Sequence, residues 1–266
     1  MKVKAAGNSH VGRRRRLNED SYLIAPELGL YLVADGMGGH KAGEVASRMV
    51  VETMTDYWEK MRAKKAPAFL DATREDISEE ANHLVNSITM TNAMIHEAQK
   101  KPEYHKMGST VSALLTEKDW LWSANVGDSP IYLFESGRLI QISEEHSVEA
   151  ERKNMGLFGD SFSSTNPLLK NVLTRVLGLS EEVEVYITGL KPEPGDVVMA
   201  CSDGLTNYMS ENAIKTVLDD FSLSLERKVD ILIEEANRGG GGDNITVILL
   251  EVEEEGRWQK FKKKFI

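Results

Sequence analysis

Four short acidic stretches border apolar segments of this chain, and their residue types have the chemistry of a divalent-cation site. They are Asn18-Glu19-Asp20, Asp35-Gly36, Asp203-Gly204 and Asp243-Asn244. A carboxylate beside a buried strand is costly unless a charged group compensates it, and several carboxylates together repel one another unless a cation neutralises them. Such oxygen ligands suit Mg²⁺ or Mn²⁺ rather than zinc or copper. Each Asp-Gly pair alone is typical of a simple turn, so the pattern leaves two interpretations, a set of turns or a metal site.

Four consecutive arginines, Arg13–Arg16, lie just ahead of Asn18. An arginine close to a divalent-metal site can bind two oxygens of a phosphate monoester through its planar guanidinium group. Metal ions together with such an arginine are typical of phosphoryl transfer to water. The same run also fits a solvated basic turn or a nucleic-acid contact, and these alternatives stay open at this point.

The remaining candidate residues have simpler interpretations. Asp128 lies between two strand patterns, and its position alone predicts a hairpin turn. The histidines are scattered without metal-ligand spacing, and His40 and His146 are interpreted as surface or hydrogen-bonded loop residues. Cys201, the single cysteine, lies in an apolar strand and is interpreted as a core residue. One cysteine excludes both a disulfide framework and a cysteine-rich zinc site.

Short strands and two long helices must position these residues. The strand patterns are Ser21–Ala25, Leu28–Ala34, Thr110–Leu115, Trp120–Val126, Ile131–Phe134, Val183–Thr188, Asp196–Cys201 and Ile245–Val252. The helical patterns are Ala42–Arg62, Glu75–Lys100, Glu211–Leu218 and Leu225–Ala236, with long loops at 63–73 and 147–170. Strands grouped around two consecutive helices predict an α+β fold with largely antiparallel sheets.

Length and composition limit the classes of protein that fit. The chain has 266 residues, and 32 Lys and Arg against 42 Asp and Glu give a net charge of −10. This balance disfavours a general nucleic-acid binder, and no apolar run approaches the roughly 18 residues of a membrane span. Residues 1–12 lack the apolar region of a secretory signal, so we expect a cytoplasmic protein.

The domain organisation follows from the lack of repeats and low-complexity linkers in the sequence. We expect one domain over residues 1–254 and a short basic amphipathic tail over residues 255–266. Trp258, Phe261 and Phe265 recur on one face of the tail, which would lie on an acidic surface, either a membrane or, as we favour, the protein's own acidic body.

The motifs, in this order, resemble those of the metal-dependent Ser/Thr protein phosphatase family (type 2C, or PPM) in its compact bacterial form. The resemblance extends from Gly12 to Val252. The matching stretches are Arg15-Arg16-Leu17-Asn18-Glu19-Asp20, Val33-Ala34-Asp35-Gly36-Met37-Gly38-Gly39-His40, Gly108-Ser109-Thr110, Asn125-Val126-Gly127-Asp128-Ser129, Leu173-Thr174-Arg175-Val176-Leu177-Gly178, Ser202-Asp203-Gly204-Leu205 and Asp243-Asn244-Ile245-Thr246-Val247. Any one of them is weak evidence, whereas the ordered set is specific.

This resemblance implies a central β-sandwich of two antiparallel sheets flanked by α-helices on both sides. It also implies two Mn²⁺ or Mg²⁺ ions in a cleft at one end of the sandwich. Asp35 is the expected bridging ligand, Gly36 a ligand through its carbonyl oxygen, and Asp203 and Asp243 are ligands of one ion.

The resemblance further assigns roles to four residues around the metals. Glu19 and Asp20 are expected to hold metal-bound waters, Arg15 to bind the substrate phosphate, and Asp128 to support a water near the metals. The implied activity is hydrolysis of phosphoserine and phosphothreonine on protein substrates of a Ser/Thr kinase, and we separately expect a monomer. Two other functions fit the same chain: a catalytically inactive phosphatase fold used for binding, and a hydrolase of small phosphoesters.

Three positions depart from the family pattern. Met37 stands where animal members have a histidine proposed as general acid, so no such acid is carried over. Glu145 replaces an aspartate associated with a third metal, which puts that third site in doubt. Pro130 replaces an arginine that often follows the Gly-Asp-Ser step, and this removes a donor near Asp128.

Overall fold

The computed structural model describes residues 1–38, 41–156 and 172–254. His40, the tail at 255–266 and most of the long loop predicted at 147–170 lie outside these residues. The strands are β1 Lys2–His10, β2 Asp20–Ala25, β3 Leu30–Met37, β4 Gly108–Ser109, β5 Val111–Glu117, β6 Trp120–Val126, β7 Ile131–Glu135, β8 Arg138–Gln141, β9 Tyr186–Leu190, β10 Val197–Cys201 and β11 Ile245–Glu253. The helices are α1 Ala42–Arg62, α2 Glu79–Ala98, α3 Val148–Asn154, α4 Asp203–Thr206, α5 Glu211–Leu218 and α6 Leu225–Arg238.

The strands form two antiparallel sheets that pack face to face. One sheet has the order β1-β11-β10-β7-β8, and the other has the order β2-β3-β5-β6-β9, with β4 paired to β3. Helices α1 and α2 cover the second sheet, whereas α5 and α6 cover the first. The predicted α+β fold with a central antiparallel sandwich is confirmed.

Strand β3 is apolar along nearly its whole length because both of its faces are covered. Side chains alternate between the faces of a strand, so Leu30 and Leu32 pack towards the helices while Tyr31 and Val33 pack between the sheets. The same alternation puts Asp35 on the face of Tyr31 and Val33, at the end of the layer between the two sheets.

Helix positions follow from their caps and apolar stripes. The hydroxyl of Ser78 caps α2 and that of Ser224 caps α6, each accepting a bond from a backbone N–H of the first turn. In α1, Val50, Met54 and Trp58 recur at four-residue steps and are buried against the second sheet. No helix of the described residues is long and apolar enough to cross a membrane.

Several elements differ from the sequence-based prediction. Strand β1, the edge strand β8 and helix α3 were not predicted, and α2 begins at Glu79 rather than Glu75. Strand β9 is Tyr186–Leu190, two to three residues later than predicted. Buried Cys201 lies in β10, as predicted.

Candidate metal centre

Strand pairing brings the predicted acidic residues together at one end of the sandwich. Asp20 begins β2 and is paired in register with Asp35 on β3. Asp203 follows β10, and Asp243 precedes β11, the neighbour of β10 in the other sheet. A cleft of about 380 Å³ lies between these ends. Its lining includes Arg15, Glu19, Asp35, Gly36, Asp128, Asp203 and Asp243.

Asp20 is buried behind the lining of the cleft, and only 8% of its surface is exposed. Its Oδ2 atom accepts hydrogen bonds from the hydroxyls of Ser202 at 2.8 Å and Thr246 at 2.6 Å. Burial raises the pKa of Asp20 to about 7 despite these two bonds, and repulsion from Asp203 adds to the effect. In the absence of a nearby cation, the ionised form of this carboxyl is therefore disfavoured.

The pKa values of the neighbouring carboxyls are raised for the same reasons. Burial, followed by repulsion from Asp20, raises the pKa of Asp35 well above its usual range. Burial and repulsion from Asp243 raise the pKa of Asp203 to about 6. Burial and repulsion from Asp203 raise the pKa of Asp128 to about 7. Because these carboxylates repel one another, a cation bound among them would stabilise their ionised forms and lower their pKa values.

Unpartnered oxygen atoms are concentrated at this site. Of six buried side-chain polar atoms without a hydrogen-bond partner in the described chain, three are carboxylate oxygens here: Glu19 Oε1, Asp20 Oδ1 and Asp203 Oδ1. Within residues 1–38, 41–156 and 172–254, no group of three acidic, histidine or cysteine side chains has the geometry of a complete metal-binding site. The donor set, all oxygen and negatively charged, nevertheless fits a hard divalent cation.

Gly36 brings backbone into the centre of the site. Its N–H donates to the carbonyl oxygen of Glu19 at 3.1 Å, and a Cβ atom at this position would overlap the carbonyl oxygen of Gly43 in the first turn of α1. Only glycine fits such a close approach of two backbone segments. Gly36 lines the cleft, and its role as a metal ligand through the carbonyl oxygen stays a prediction.

Arg15 reaches the site from the loop between β1 and β2. Its Nη2 atom donates to Asp243 Oδ2 at 2.8 Å, and 48% of its side chain is exposed. Asn244 fixes this loop, because its Nδ2 atom donates to the carbonyl oxygens of Val11 and Leu17 at 3.0 and 2.9 Å. The guanidinium group is therefore positioned at the metal cleft and still accessible to a ligand.

Asp128 does not lie in a hairpin turn, and that prediction is wrong. Strands β6 and β7 belong to different sheets, and the segment around Asp128 crosses from one sheet to the other. Gly127 adopts a φ of 106°, and its N–H donates to Nδ1 of buried His146 at 3.1 Å. Burial, with a further contribution from Arg175, lowers the pKa of His146 to about 4, so this histidine is neutral and structural.

The positions that depart from the family pattern lie around the cleft. Met37 lines the cleft itself. Glu145 and Pro130 line an adjoining cavity of about 530 Å³, which shares Asp128 and Asp203 with the cleft. Three site residues were named in the sequence motifs without a role: Ser202 and Thr246, which bond Asp20, and Asn244, which holds the arginine loop. The sequence indicated these three residues only through their positions close to the motif residues Asp203 and Asp243.

Comparison with known proteins agrees with this geometry. The family model described as Protein phosphatase 2C matches residues 6–235. The chain is 35% identical over 243 residues to the serine/threonine phosphatase stp of Listeria welshimeri, covering 90% of this chain and 92% of that relative. The S. agalactiae serine/threonine phosphatase structure has a TM-score of 0.83 and 32% identity, covering 95% of this chain and 100% of that one.

A second solved structure bears on the metals. The catalytic domain of the serine threonine protein phosphatase PstP, in complex with two manganese ions, has a TM-score of 0.76 and 29% identity, covering 95% of this chain and 99% of that one. Fold, site and relatives together define a metal-dependent protein phosphatase. The chain belongs to the protein phosphatase 2C family.

Proposed function

We propose that this chain removes phosphate from phosphoserine and phosphothreonine in proteins and so reverses the action of a bacterial Ser/Thr kinase. The observation that carries the proposal is the set of three unpartnered, buried carboxylate oxygens beside a cleft that Arg15 lines. This combination needs a cation and offers a binding group for a phosphate. We further propose that the catalytic domain spans residues 1–254, and that the protein acts as a cytoplasmic monomer.

We propose that the site binds two Mn²⁺ or Mg²⁺ ions. The side chains of Asp35, Asp203 and Asp243 and the carbonyl oxygen of Gly36 would hold them. When bound, such ions acidify a water molecule and neutralise charge on phosphate oxygens. The raised pKa values of Asp35 and Asp203 support this assignment, because a cation reverses the repulsion that causes them.

The chain's own side chains then orient the reactants. Arg15 would bind two phosphate oxygens with the guanidinium edge that does not face Asp243. Asp20 and Glu19, each with an unpartnered buried oxygen, would hold ordered waters next to the ions. Asp128 would accept a hydrogen bond from a water on the far side of the cleft and so fix its orientation.

The test is phosphate release from matched phosphoserine, phosphothreonine and phosphotyrosine peptides, with and without Mn²⁺. We expect Mn²⁺-dependent turnover of the first two, and a loss of at least about a hundredfold in kcat for Asp203→Asn, because the variant lacks a ligand charge. Asp71→Asn, an exposed aspartate in the loop after α1, is the matched control and should leave turnover unchanged.

The two other functions predict different results in this assay. Turnover of small phosphoesters without turnover of any phosphopeptide would support a small-molecule hydrolase. Binding of a phosphopeptide without phosphate release in the presence of Mn²⁺ would support an inactive binding module. Full activity of Asp203→Asn in metal-free buffer would overturn the metal assignment.

A further inference from the structure

Three arginines beside Arg15 take no part in the proposed chemistry. Arg13, Arg14 and Arg16 are exposed, and their side chains make no hydrogen bond or ion pair with any part of the chain that the structure describes. We call these three side chains the basic rim. Six of the eight described arginines outside the run do pair with carboxylates: Arg48, Arg74, Arg138, Arg175, Arg227 and Arg238. In a chain with a net charge of −10, three arginines of one four-residue run without a described carboxylate partner are a distinct feature.

The backbone beneath the basic rim is firmly held. The N–H groups of Arg13 and Arg14 both donate to the carbonyl oxygen of Gly241, at 2.7 and 3.2 Å. On the other side of the run, the carbonyl oxygen of Leu17 accepts the bond from Asn244. A ligand that binds the rim therefore orders side chains but no loop, so the entropy cost of folding a loop is not added to the cost of binding.

The basic rim flanks Arg15, the arginine that lines the cleft, and its own side chains lie outside the cleft lining. Arg15 lines the cleft, whereas Arg13 lines a second, shallow cavity of about 380 Å³ together with His10, Asn237 and Arg238. Arg13 and Arg15 are two residues apart, at most about 7 Å along the backbone. A peptide whose phosphorylated side chain is bound by Arg15 therefore has its flanking residues within reach of the long side chains of the rim.

We propose that the basic rim selects substrates with further negative charge, either acidic side chains or a second phosphate, within a few residues of the phosphorylated residue. Guanidinium groups bind carboxylate and phosphate oxygens in the same two-pronged way, so the rim accepts both. This inference rests on the proposed phosphatase function and adds the class of protein segment that the enzyme prefers. A long nucleic acid fits less well, because its remaining charges would meet the acidic body of the protein.

The expected size of the effect follows from the exposure of the rim. An exposed ion pair changes affinity by about 1.4- to fivefold, so three of them together give a preference of about tenfold. Salt screens exposed charges over about 10 Å at 0.1 M and over shorter distances at higher concentration. The preference should therefore be largest in dilute buffer.

The experiment compares kcat/KM for four phosphothreonine peptides of equal length. Their flanking residues are neutral, acidic, basic, or neutral with a second phosphothreonine, on both sides of the target. At about 20 mM salt, we expect the acidic and doubly phosphorylated peptides to exceed the neutral one by about tenfold, and at about 300 mM salt by no more than about threefold. The two favoured peptides separate carboxylate from phosphate recognition.

The decisive variant is the triple substitution R13Q/R14Q/R16Q, which removes the charge and keeps an unbranched, hydrogen-bonding polar side chain. It should bring the acidic-to-neutral ratio close to one, while turnover of the neutral peptide and of p-nitrophenyl phosphate is unchanged. R62Q is the matched control. Arg62 is an exposed arginine without a described partner at the end of α1, whose 21 residues at about 1.5 Å each extend about 30 Å from the cleft. R13K/R14K/R16K keeps the charge but not the two-pronged geometry, so its preference should lie between those of the unmodified protein and R13Q/R14Q/R16Q, which guards against a folding defect in the first variant.

Two results would overturn the inference and leave the proposed function intact. One is equal turnover of all four peptides by the unmodified protein, and the other is a preference that survives R13Q/R14Q/R16Q. Tight oligonucleotide binding that competes with the acidic peptide and is lost in the same variant would reassign the rim to nucleic acid. Failure to hydrolyse even the neutral peptide would instead count against the phosphatase function itself.

Discussion

Replacing Asp20 by asparagine is expected to stabilise the metal-free protein while weakening its metal binding. The carboxyl of Asp20 is buried, and only its Oδ2 atom has hydrogen-bond donors, the hydroxyls of Ser202 and Thr246. The amide oxygen of asparagine can accept both of those bonds. The amide group in the place of Oδ1 carries no negative charge, so the repulsion with Asp203 is removed.

The magnitude follows from the pKa of Asp20, which is about 7 in the folded protein against an ordinary value of 3.8. A raised pKa means that the unfolded chain loses this proton first as the pH rises. The stability contributed by Asp20 is therefore complete below about pH 4, and it is lost progressively until about pH 7. At about 1.4 kcal/mol for each pH unit, the full loss is about 4 kcal/mol. Asp203 and Asp243 share the repulsion, so we expect a measured difference of about 2 to 4 kcal/mol.

The assay is urea unfolding in the presence of a chelator from pH 5 to pH 8, on wild type and Asp20→Asn. The advantage of the variant should grow towards pH 7 and then stay constant. Saturating Mn²⁺ should reverse the order, because binding to the native state stabilises the wild type more. An equal pH dependence of the two proteins without metal, or a variant that is less stable throughout, would refute the reasoning about buried charge.

Three further substitutions test separate parts of the site. Arg15→Ala should raise KM for a phosphothreonine peptide about tenfold and lower kcat less, as steady-state kinetics would measure, because its guanidinium mainly binds the ground-state phosphate. A fall in kcat alone would argue for a role confined to the transition state. Gly36→Ala should weaken Mn²⁺ binding at least tenfold in calorimetry, since its Cβ would overlap the carbonyl oxygen of Gly43; unchanged affinity would remove Gly36 from the site. His146→Ala should keep kcat within about tenfold and leave its pH profile unchanged, because burial lowers the pKa of this histidine to about 4. Its unfolding free energy should fall by about 1 to 3 kcal/mol as the N–H of Gly127 loses its acceptor, and loss of one limb of the pH profile would contradict this role.

The elements that the sequence predicted well are those with a strong burial signal. Strands β3 and β10 are covered on both faces, and their apolar runs end where the site begins. Strand β1 gave no such signal, because its sequence KVKAAGNSH holds glycine, asparagine and lysine and only Ala6 is fully buried. Pairing with β11 along its whole length, not its own composition, makes this segment a strand.

The short elements near the adjoining cavity were missed for a similar reason. Helix α3 has seven residues, none of them buried, so it lacks an apolar stripe that periodicity could detect. Its N-terminus is fixed by the hydroxyl of Ser147, which accepts a bond from Ala150 N. Strand β8 has four residues, none of them fully buried, and lies at a sheet edge.

The hairpin prediction for Asp128 failed because it considered only the two flanking segments. In the sheet, β6 is already paired with β5 on one side and β9 on the other, so no edge is free for β7. The chain must therefore leave this sheet after Val126 and join the other one. That crossing puts Asp128 above the space between the sheets, where the carboxylates of both sheets meet.

The residues that hold the acidic site were harder to predict than the acidic residues themselves. An aspartate at the end of an apolar strand is conspicuous because burying a charge is costly. Asn244, by contrast, acts by accepting a hydrogen bond from the backbone N–H of Glu19, 225 positions away in the sequence. A small polar residue becomes informative only when the partner across the fold is known. The side chain of Asn244 holds the backbone around Glu19 and Arg15 by neutral hydrogen bonds and so adds no charge beside the carboxylates.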